Sequence, residues 1–301
     1  MNGVLPLVTV GIPTYNRAAL VGRAIDSVLG QDYPHIEVII SDNASNDGTE
    51  GICRNQVACD SRVRYVRQPD NIGATRNFEE VLRLATGDYF MWLGDDDWID
   101  PNYVRLCMER LTKESGSVLV GGVANYYKSG VSTGRGQNLS LAQSTWWIRV
   151  VTYFWRVRDN GIFYGVARTA LLRSLLPIRN VMAGDWLHIA VLASHGRILT
   201  IGGTSAHRDL GGATTSYAQI ARSLGLPSVV GQFPFCFIAW SAFADIAWRH
   251  RGYRGHGPTA RFSLAVIVAL CLLCRGAIVA SAPARMACRR ALSALSGRTG
   301  V

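Results

Sequence analysis

The sequence predicts an α/β fold in which a mostly parallel central sheet is flanked by helices. Short β-branched runs alternate with segments of helical spacing along the first 120 residues, and such alternation is typical of βαβ units. Hydrophobic residues make up 49% of the 301 residues and charged residues 17%, which indicates a globular chain somewhat rich in apolar residues. Polar loops follow three of the predicted strands, so a binding edge is expected there.

The first 120 residues contain four predicted strands and three predicted helices. Each strand is a short apolar run bounded by Gly, Pro or polar residues, and each helix has apolar residues at a spacing of three to four. The third helix is expected to begin at Pro101, with Asp100 as its cap. The predicted strands are residues 5–13, 36–42, 63–68 and 89–94, and the predicted helices are 18–31, 73–87 and 101–111.

The pattern is looser after residue 120. Strands are predicted over 117–127 and 198–203, and helices over 169–177 and 184–197. Two apolar stretches, 229–248 and 262–282, lie on either side of a basic, Gly-rich linker. We therefore predict one domain over 1–225, with halves 1–120 and 121–225, followed by a helical, basic region over 226–301.

Charge is distributed unevenly between the two halves of the chain. Residues 1–120 contain 11 Lys/Arg and 17 Asp/Glu, a net charge of −6, whereas residues 121–301 contain 20 and 4, a net charge of +16. This asymmetry predicts an anionic surface or ligand for the second half. Because no nucleic-acid-binding motif is found, a membrane surface or a phosphorylated substrate fits better than nucleic acid.

Cysteine usage predicts a reducing environment. The seven cysteines are odd in number and scattered in spacing, which argues against a disulfide framework. The first residues have neither a basic start nor a long apolar core, so they do not resemble a signal peptide. These two features predict a cytoplasmic protein.

Three adjacent carboxylates, Asp95, Asp96 and Asp97, directly follow the fourth predicted strand. Like charges at this spacing raise one another's pKa, and a bound divalent cation would offset the repulsion because hard cations prefer carboxylate oxygens. A solvated acidic turn is the alternative. Polar loops after the first and second strands reach the same sheet edge, and this convergence favours a ligand or metal site.

The order and spacing of four motifs resemble those of the family 2 glycosyltransferases. The motifs are VTVGIPTYNR, IEVIISDNASNDGT, NIGATRNFEEVLRLATGDYFMWLGDDDW and AGDW. The resemblance is close over residues 6–110 and loose over 160–215, and the third motif looks most like the branch that adds deoxy or dideoxy sugars to lipid-linked bacterial glycans. It implies the nucleotide-diphospho-sugar transferase (GT-A) fold. The family pattern usually reads D-x-D-D after this strand, and Gly94 stands at its first Asp. Either the site uses Asp96 and Asp97 in the usual register, or Asp95 and Asp97 form the D-x-D.

The resemblance implies a donor site and a Mg²⁺ or Mn²⁺ site at this edge. Asp96 or Asp97 would hold the cation, which neutralises the leaving nucleoside diphosphate. For Asp42 the alternative is an Asx-turn, for Tyr15 a place in the core, and for Arg17 and Arg76 a surface salt bridge. The implied donor-binding residues are Pro13, Tyr15, Asn16, Arg17, Asp42, Asn43, Arg76 and Asp95.

Asp185 is the predicted catalytic base. It is one of only four acidic residues after position 120 and lies within an apolar segment, where an ionised carboxylate is seldom placed without a partner or a function. The resemblance implies an acid at this point in the chain order that removes the acceptor's proton. An N-cap role for the following helix is the alternative, and the two roles are compatible.

His207 is implied as a further metal ligand, with a purely structural role as the alternative. Arg208 and the Gly-rich segment 211–216 are expected to form a flap over the diphosphate.

Residues 226–301 are predicted to associate with an anionic membrane from the cytoplasmic side. The stretch 262–282 is long enough to span a bilayer at about 20 residues, but it contains Arg275 and has an uninterrupted apolar core of 11 residues. Both of its flanks are basic, which contradicts the positive-inside rule for a span. In-plane or re-entrant helices are therefore predicted, with an ordinary helical subdomain or a dimer contact as the alternative.

Together these features predict an inverting, metal-dependent glycosyltransferase acting on a glycan or lipid-linked acceptor at the inner membrane face. A nucleotidyltransferase is one alternative, although the expected Gly-rich loop with a lysine is replaced by GIPTYNR. A non-catalytic nucleotide-sugar-binding module is the other.

Overall fold

A computed structural model describes residues 5–210 and 216–296, with side chains through residue 281. A single mixed sheet of nine strands lies at its centre, in the order β3-β2-β1-β4-β8-β6-β9-β5, with β7 paired to β6. The strands are β1 (Val8–Thr14), β2 (Ile36–Asp42), β3 (Val63–Arg67), β4 (Tyr89–Trp92), β5 (Trp98–Ile99), β6 (Ser117–Lys128), β7 (Val131–Arg135), β8 (Val166–Arg168) and β9 (Arg197–Asp209).

The first half of the sheet is parallel, as predicted. Strand β1 pairs in parallel with both β2 and β4, and β2 pairs in parallel with β3. Every residue of β1 and β4 is buried, which explains why these strands appear in the sequence as continuous apolar runs rather than alternating ones. Thr14 lies opposite Asp42, so the polar loops after β1 and β2 begin side by side.

The second half corrects the expectation of a mostly parallel sheet. Strand β8 pairs antiparallel with both β4 and β6, and β5 pairs antiparallel with β9. Only β6 and β9 add a further parallel pair. The two-residue strand β5 follows the Asp run directly and lies beside β9 through the pairs Trp98–His207 and Ile99–Ala206. This pairing brings the end of β9 to the aspartates.

Helices cover the sheet and form the C-terminal region. Helix α2 was not predicted, because only Thr49 and Cys53 on it are buried and its sequence therefore lacks an apolar stripe. The helices are α1 (Val21–Leu29), α2 (Thr49–Cys59), α3 (Ala74–Leu84), α4 (Tyr103–Lys113), α5 (Trp146–Arg156), α6 (Thr169–Ser174), α7 (Gly184–His195), α8 (Tyr217–Ser223), α9 (Ser228–Gln232), α10 (Pro234–Ala244) and α11 (Pro258–Ser296).

Helix α4 begins two residues later than predicted, at Tyr103. The side chain of Asp100 does not cap it. One carboxylate oxygen accepts a hydrogen bond from the Ser205 amide at 2.7 Å, and the other lies 2.7 Å from Nε2 of His207. Asp100 therefore connects the start of α4 to β9.

The C-terminal helices pack on the second half of the sheet domain. Helix α11 lies against α5 and α10 and turns one face inward through Leu264, Val268 and Leu272, which are at most 2% exposed. Arg275 continues this face and donates to the carbonyl oxygens of Phe154 and Val157 at the end of α5. The charge inside the apolar stretch therefore points into the protein.

Candidate active site

The three aspartates after β4 have three different environments. Asp97 is 2% exposed. Its Oδ2 accepts a hydrogen bond from the Tyr164 hydroxyl at 2.5 Å, its Oδ1 accepts from the Asp209 amide at 2.9 Å, and Nε of Arg208 lies 3.5 Å from Oδ2. Both carboxylate oxygens are therefore used to join the Asp run to β9 and to Tyr164.

Asp96 is the least engaged carboxylate of the run. Its backbone carbonyl accepts from Arg23 at 2.5 Å, whereas no other described residue donates a hydrogen bond to its side chain. Burial, together with the charges of Asp97 and Asp95, raises the pKa of Asp96 to about 6. A cation beside this carboxylate would relieve the repulsion.

Gly94 explains the departure from the usual D-x-D-D pattern. A Cβ at this position would lie 2.6 Å from Oη of Tyr164 and 2.8 Å from Oδ2 of Asp97. Tyr164 thus occupies the space that an aspartate side chain at position 94 would require. The hydrogen bond between Tyr164 and Asp97 can therefore form only because residue 94 has no side chain.

Asp95 fastens the loop after β1. Its carboxylate accepts from the Tyr15 amide at 3.3 Å and lies 3.5 Å from Nε of Arg17. Burial raises the pKa of Asp95, while Arg17 and the Tyr15 amide act in the opposite direction. Tyr15 itself is 41% exposed, so its ring is available to a ligand and is not part of the core.

The remaining donor-site candidates on β1 and β2 mostly hold loops. Asp42 is fully buried and accepts from the Ser45 amide at 2.9 Å and from the Tyr65 hydroxyl at 2.6 Å. It therefore holds its loop locally, although the amide it reaches is three residues on and not two, as in an Asx-turn. Asn43 bonds Asn71 and the Ile72 amide, both at 2.8 Å. These contacts give both residues a structural function in this conformation.

Three other candidates have distinct positions. Pro13 is buried within β1. Asn16 has a positive φ of 53° and accepts from the Asn46 amide at 2.9 Å, so it joins the two polar loops. Arg76 is exposed on α3 and borders a cleft with Asn180.

His207 has partners on both sides of its ring. Nε2 lies 2.7 Å from Asp100, Nδ1 lies 3.2 Å from the Tyr127 hydroxyl, and the ring stacks on Trp98 with centroids 5.1 Å apart. Both nitrogens are thus engaged in this conformation, which fits the structural alternative, and metal ligation by His207 stays a prediction. Of the expected flap, Arg208 is described and lies beside Asp97, while residues 211–215 lie outside the described residues.

Asp185 lies in the first turn of α7, at the wall of a cavity of about 430 Å³. Its Oδ2 accepts a hydrogen bond from Nδ2 of Asn160 at 2.9 Å. Burial raises the pKa of Asp185, and the Asn160 hydrogen bond, the Trp186 amide and the charge of Arg208 oppose the shift. No side-chain cap is formed at this helix terminus, so the carboxylate is directed to the cavity and Asn160.

The same cavity connects Asp185 with the Asp run. Tyr164 and Arg208, both in contact with Asp97, also line the cavity, and the Arg208 guanidinium lies 5.0 Å from the Tyr164 ring centre. Among the described residues that line it, Asp185 is the only carboxylate. The arrangement provides one candidate base, two cationic side chains, Arg179 and Arg208, and an adjacent acidic cluster.

Sequence analysis missed Tyr164 and Asn160. Tyr164 is the last residue of a short 3₁₀ helix, Gly161–Tyr164, and Asn160 directly precedes that helix. They reach their partners from 67 and 25 residues away along the chain, respectively. No spacing pattern marks such contacts. The nearest signal was the scarcity of acids after residue 120, which pointed to Asp185 but not to its partners.

Comparison with known proteins assigns the chain to a family. The model of glycosyl transferase family 2 matches residues 9–176, which is more than half of the chain, so the chain belongs to this family. Among curated relatives, GlyA of Streptococcus pneumoniae is 28% identical over 168 residues, covering 56% of this chain and 22% of the relative. The GalNAc(5)-diNAcBac-PP-undecaprenol beta-1,3-glucosyltransferase of Campylobacter jejuni is 35% identical over 94 residues, covering 31% and 30%. The chain thus spans less than a third of the length of either relative.

Solved structures show the same fold. TarS 1–349 of Staphylococcus aureus has a TM-score of 0.58 at 15% identity and covers 87% of this chain and 70% of its own. The mannosyltransferase PcManGT of Pyrobaculum calidifontis, solved with GDP-Man and Mn²⁺, has a TM-score of 0.59 at 20% identity and covers 98% and 82%. The predicted GT-A-like architecture is confirmed, with the sheet mixed rather than mostly parallel.

The family implies a divalent cation. The residues present fit a cation that is held by one protein carboxylate. The described residues contain no group of three His, Cys, Asp or Glu side chains arranged for a metal. Asp96 supplies one half-buried carboxylate without a competing side-chain donor. Magnesium typically takes only one or two protein carboxylates and completes its shell with phosphates and water.

Proposed function

We propose that this protein is an inverting, cation-dependent glycosyltransferase that moves a sugar from a nucleoside-diphospho-sugar to a hydroxyl of a lipid-linked glycan. Family membership supports the reaction class. The names of the relatives and neighbours support the substrates, because TarS was solved with UDP-GlcNAc and PcManGT with GDP-Man and Mn²⁺, and the Campylobacter relative carries PP-undecaprenol in its name. The observation that carries the proposal is the single carboxylate, Asp185, in the cavity that Tyr164 and Arg208 connect to Asp97.

Each residue contributes a defined step. A divalent cation bound at Asp96 would supply Lewis-acid stabilisation of the leaving diphosphate. Tyr15, exposed beside the loop that Asp95 holds, offers an aromatic face for the base. Arg208 brings a positive charge to the cavity next to the Asp run, where the charge of the leaving group grows.

Asp185 removes the proton from the acceptor hydroxyl. Burial makes its carboxylate a stronger base than an exposed aspartate, and Asn160 holds it in place from the side. One base and one displacement give inversion at the anomeric carbon. A retaining double displacement would require a nucleophile, and no second carboxylate lines the described part of the cavity.

We further propose that the protein lies on the inner face of the membrane through α10 and α11. The segment Pro258–Ser281 is long and apolar enough to cross a bilayer, but its inner face is packed on α5 and α10. A span would separate Arg275 from the Phe154 and Val157 carbonyls. An in-plane arrangement keeps those contacts and places the exposed apolar side chains in the lipid. Those side chains include Trp240, Trp248, Phe262, Ile267, Leu270 and Leu273, which are 43–57% exposed.

The test is a donor panel. Purified protein is mixed with UDP-, GDP-, CDP- and dTDP-sugars, including deoxysugars, with and without Mn²⁺, and release of nucleoside diphosphate is followed. We expect cation-dependent release of nucleoside diphosphate from one donor class. Asp185→Asn should lose the release that depends on a hydroxyl acceptor and keep any release that occurs without an acceptor. Absence of binding and turnover with every donor would contradict the proposal.

A further inference from the structure

A second cavity, of about 480 Å³, lies between the N-terminal end of α10 and the middle of α11. This size is typical of small-molecule sites, which span roughly 300–1,000 Å³. Its walls are almost entirely apolar and include Tyr217, Phe233, Phe235, Leu273, Ala277 and Ala280. We call it the α10–α11 groove. No charged side chain lines the groove among the described residues, so an apolar ligand is the chemistry that it fits.

The inner end of the groove adjoins the cavity of Asp185. Helix α8 is a wall common to both, because Tyr217 lines the groove while Ile220 lines the Asp185 cavity. The guanidinium carbon of Arg275 lies 5.6 Å from the Trp186 ring centre and 5.7 Å from that of Phe235. Trp186 directly follows Asp185 in the chain, and Phe235 is part of the groove. Arg275 thus links the groove to the helix that carries the candidate base.

The outer end of the groove opens on the exposed apolar side of α11. Phe233, Leu273 and Val279 line the groove and are 58%, 43% and 50% exposed. Leu273 lies one turn after Leu270, whose side chain is 57% exposed on the same helix. The groove therefore opens on the surface that we place in the membrane, and only α8 and Arg275 separate it from the Asp185 side.

We propose that the α10–α11 groove binds the part of an isoprenoid chain that lies next to the diphosphate of a lipid-linked acceptor. This inference rests on the proposed function, and it assigns a site to the lipid part of the acceptor. The chain enters from the membrane face, and the groove directs the head group to Asp185. The Asp185 cavity contributes Arg179, and Arg275 lies between Trp186 and the groove residue Phe235. These two cations complement the negative charge of the acceptor diphosphate, whereas Arg208 faces the Asp run.

Other occupants explain less of the geometry. A second copy of the chain or a soluble amphipathic helix would cover the exposed apolar side chains, but neither would make use of the position of the groove beside the helix that carries Asp185. A free fatty acid would fit the apolar walls without using the cationic residues at the inner end. An isoprenoid diphosphate uses both features.

Calorimetric binding of farnesyl diphosphate tests the proposal, with inorganic pyrophosphate as the chain-free probe. Ala280 is exposed and lines the groove, so Ala280→Trp fills the groove without entering the core. Ala260→Trp is the matched control, because Ala260 is exposed on the same helix and does not line the groove. We expect the wild type to prefer farnesyl diphosphate by at least about tenfold, and Ala280→Trp alone to remove that preference, a change of about 1.4 kcal/mol.

Two results would overturn the groove assignment. One is equal binding of the two probes by the wild type, and the other is an equal loss in Ala260→Trp and Ala280→Trp. If Ala280→Trp does not fold, Ala277→Phe provides the same obstruction from the neighbouring turn. A benzophenone-bearing isoprenyl diphosphate gives an independent readout: crosslinks within residues 233–236 and 273–280 support the groove, whereas crosslinks confined to 262–270 contradict it.

The experiments can contradict the groove assignment and the proposed function independently of each other. Probe binding requires neither a sugar donor, a cation nor turnover. A protein that binds farnesyl diphosphate in the groove but uses no donor contradicts the proposed transfer reaction alone. A protein that transfers sugar to long-chain and short-chain acceptors with the same KM, unaffected by Ala280→Trp, contradicts the groove alone.

Discussion

The side-chain amide of Asn160 is oriented by two contacts, and its nitrogen faces Asp185. Nδ2 of Asn160 donates to Oδ2 of Asp185 at 2.9 Å, while Oδ1 accepts from the Tyr153 hydroxyl at 3.0 Å. Because a tyrosine hydroxyl donates to the amide oxygen, the amide NH₂ is left for the carboxylate. The pair stabilises the ionised form of Asp185 in a buried setting that otherwise raises its pKa.

Asp185→Asn is expected to lower kcat by roughly 10²–10⁴, the usual contribution of a general base. Donor and cation affinity should stay near those of the wild type, because the carboxylate acts on the acceptor. Steady-state kinetics and calorimetry measure the two effects, with exposed Asp70→Asn as the control. If Asp185→Asn loses donor binding while its rate per folded molecule stays high, Asp185 has a structural function. A product with retained anomeric configuration would exclude single displacement.

The pH profile of kcat/KM should have an acid limb above the range of an exposed aspartate. Burial raises the pKa of Asp185, and the base is active only when ionised, so activity is lost as the pH falls through this raised pKa. Asn160→Ala removes a hydrogen bond that lowers the pKa and should move the acid limb to higher pH. Tyr153→Phe keeps the amide and should move it less. Identical acid limbs in the wild type and Asn160→Ala would show that Asn160 does not tune the base.

Asp96→Ala and Asp97→Ala should separate cation binding from folding. Asp97→Ala leaves the buried Tyr164 hydroxyl without the carboxylate that accepts from it, which costs about 1–3 kcal/mol. Asp96→Ala removes an unpaired charge and should leave the melting temperature unchanged or higher, while Mn²⁺-dependent nucleotide binding is lost. Thermal melts measure the change in stability, and calorimetry with Mn²⁺ measures the change in cation-dependent nucleotide binding. Cation binding that survives in Asp96→Ala would place the ion elsewhere.

Gly94→Asp, which restores the usual family pattern, is expected to destabilise this protein. The new Cβ would lie within 2.8 Å of Tyr164 Oη and Asp97 Oδ2, so the hydrogen bond between them must break. Overpacking of this kind typically costs about 1–3 kcal/mol. Gly51→Asp is the control, because nothing lies within 4 Å of a Cβ there and an acid near a helix N-terminus is favourable. Equal melting temperatures for the two variants would refute this account of Gly94.

Leu270→Asp should weaken binding to anionic vesicles by about tenfold or more. Burial of a leucine side chain contributes about 1.5–3 kcal/mol, and Leu270 is 57% exposed on the proposed membrane face. Val131→Asp is the control for the charge change, since Val131 is 67% exposed on the strand β7, which pairs with β6, and is not on the C-terminal helices. Co-sedimentation with vesicles of mixed anionic and neutral lipid measures the difference. Equal binding of both variants would exclude this face of α11 as the docking surface.

The sequence by itself determined the strands of the parallel half and the sheet edge at which the polar loops meet. Buried strands require apolar residues on both faces, so β1, β2 and β4 leave a local signal. Asp185 could likewise be singled out, because an acid in an apolar segment is rare. The domain boundary at residue 225 and the donor-binding functions of Asp42 and Asn43 stay predictions.

Only the tertiary structure distinguished Asp96 from Asp97 and gave His207 a structural partner. Asp97 and Tyr164 are 67 residues apart in the chain, and Asp100 and His207 are 107 apart. Adjacent residues with identical side chains have the same local propensity, so no sequence pattern tells them apart. Their functions depend on which distant donors reach each carboxylate, and the antiparallel pairing of β5 with β9 determines that.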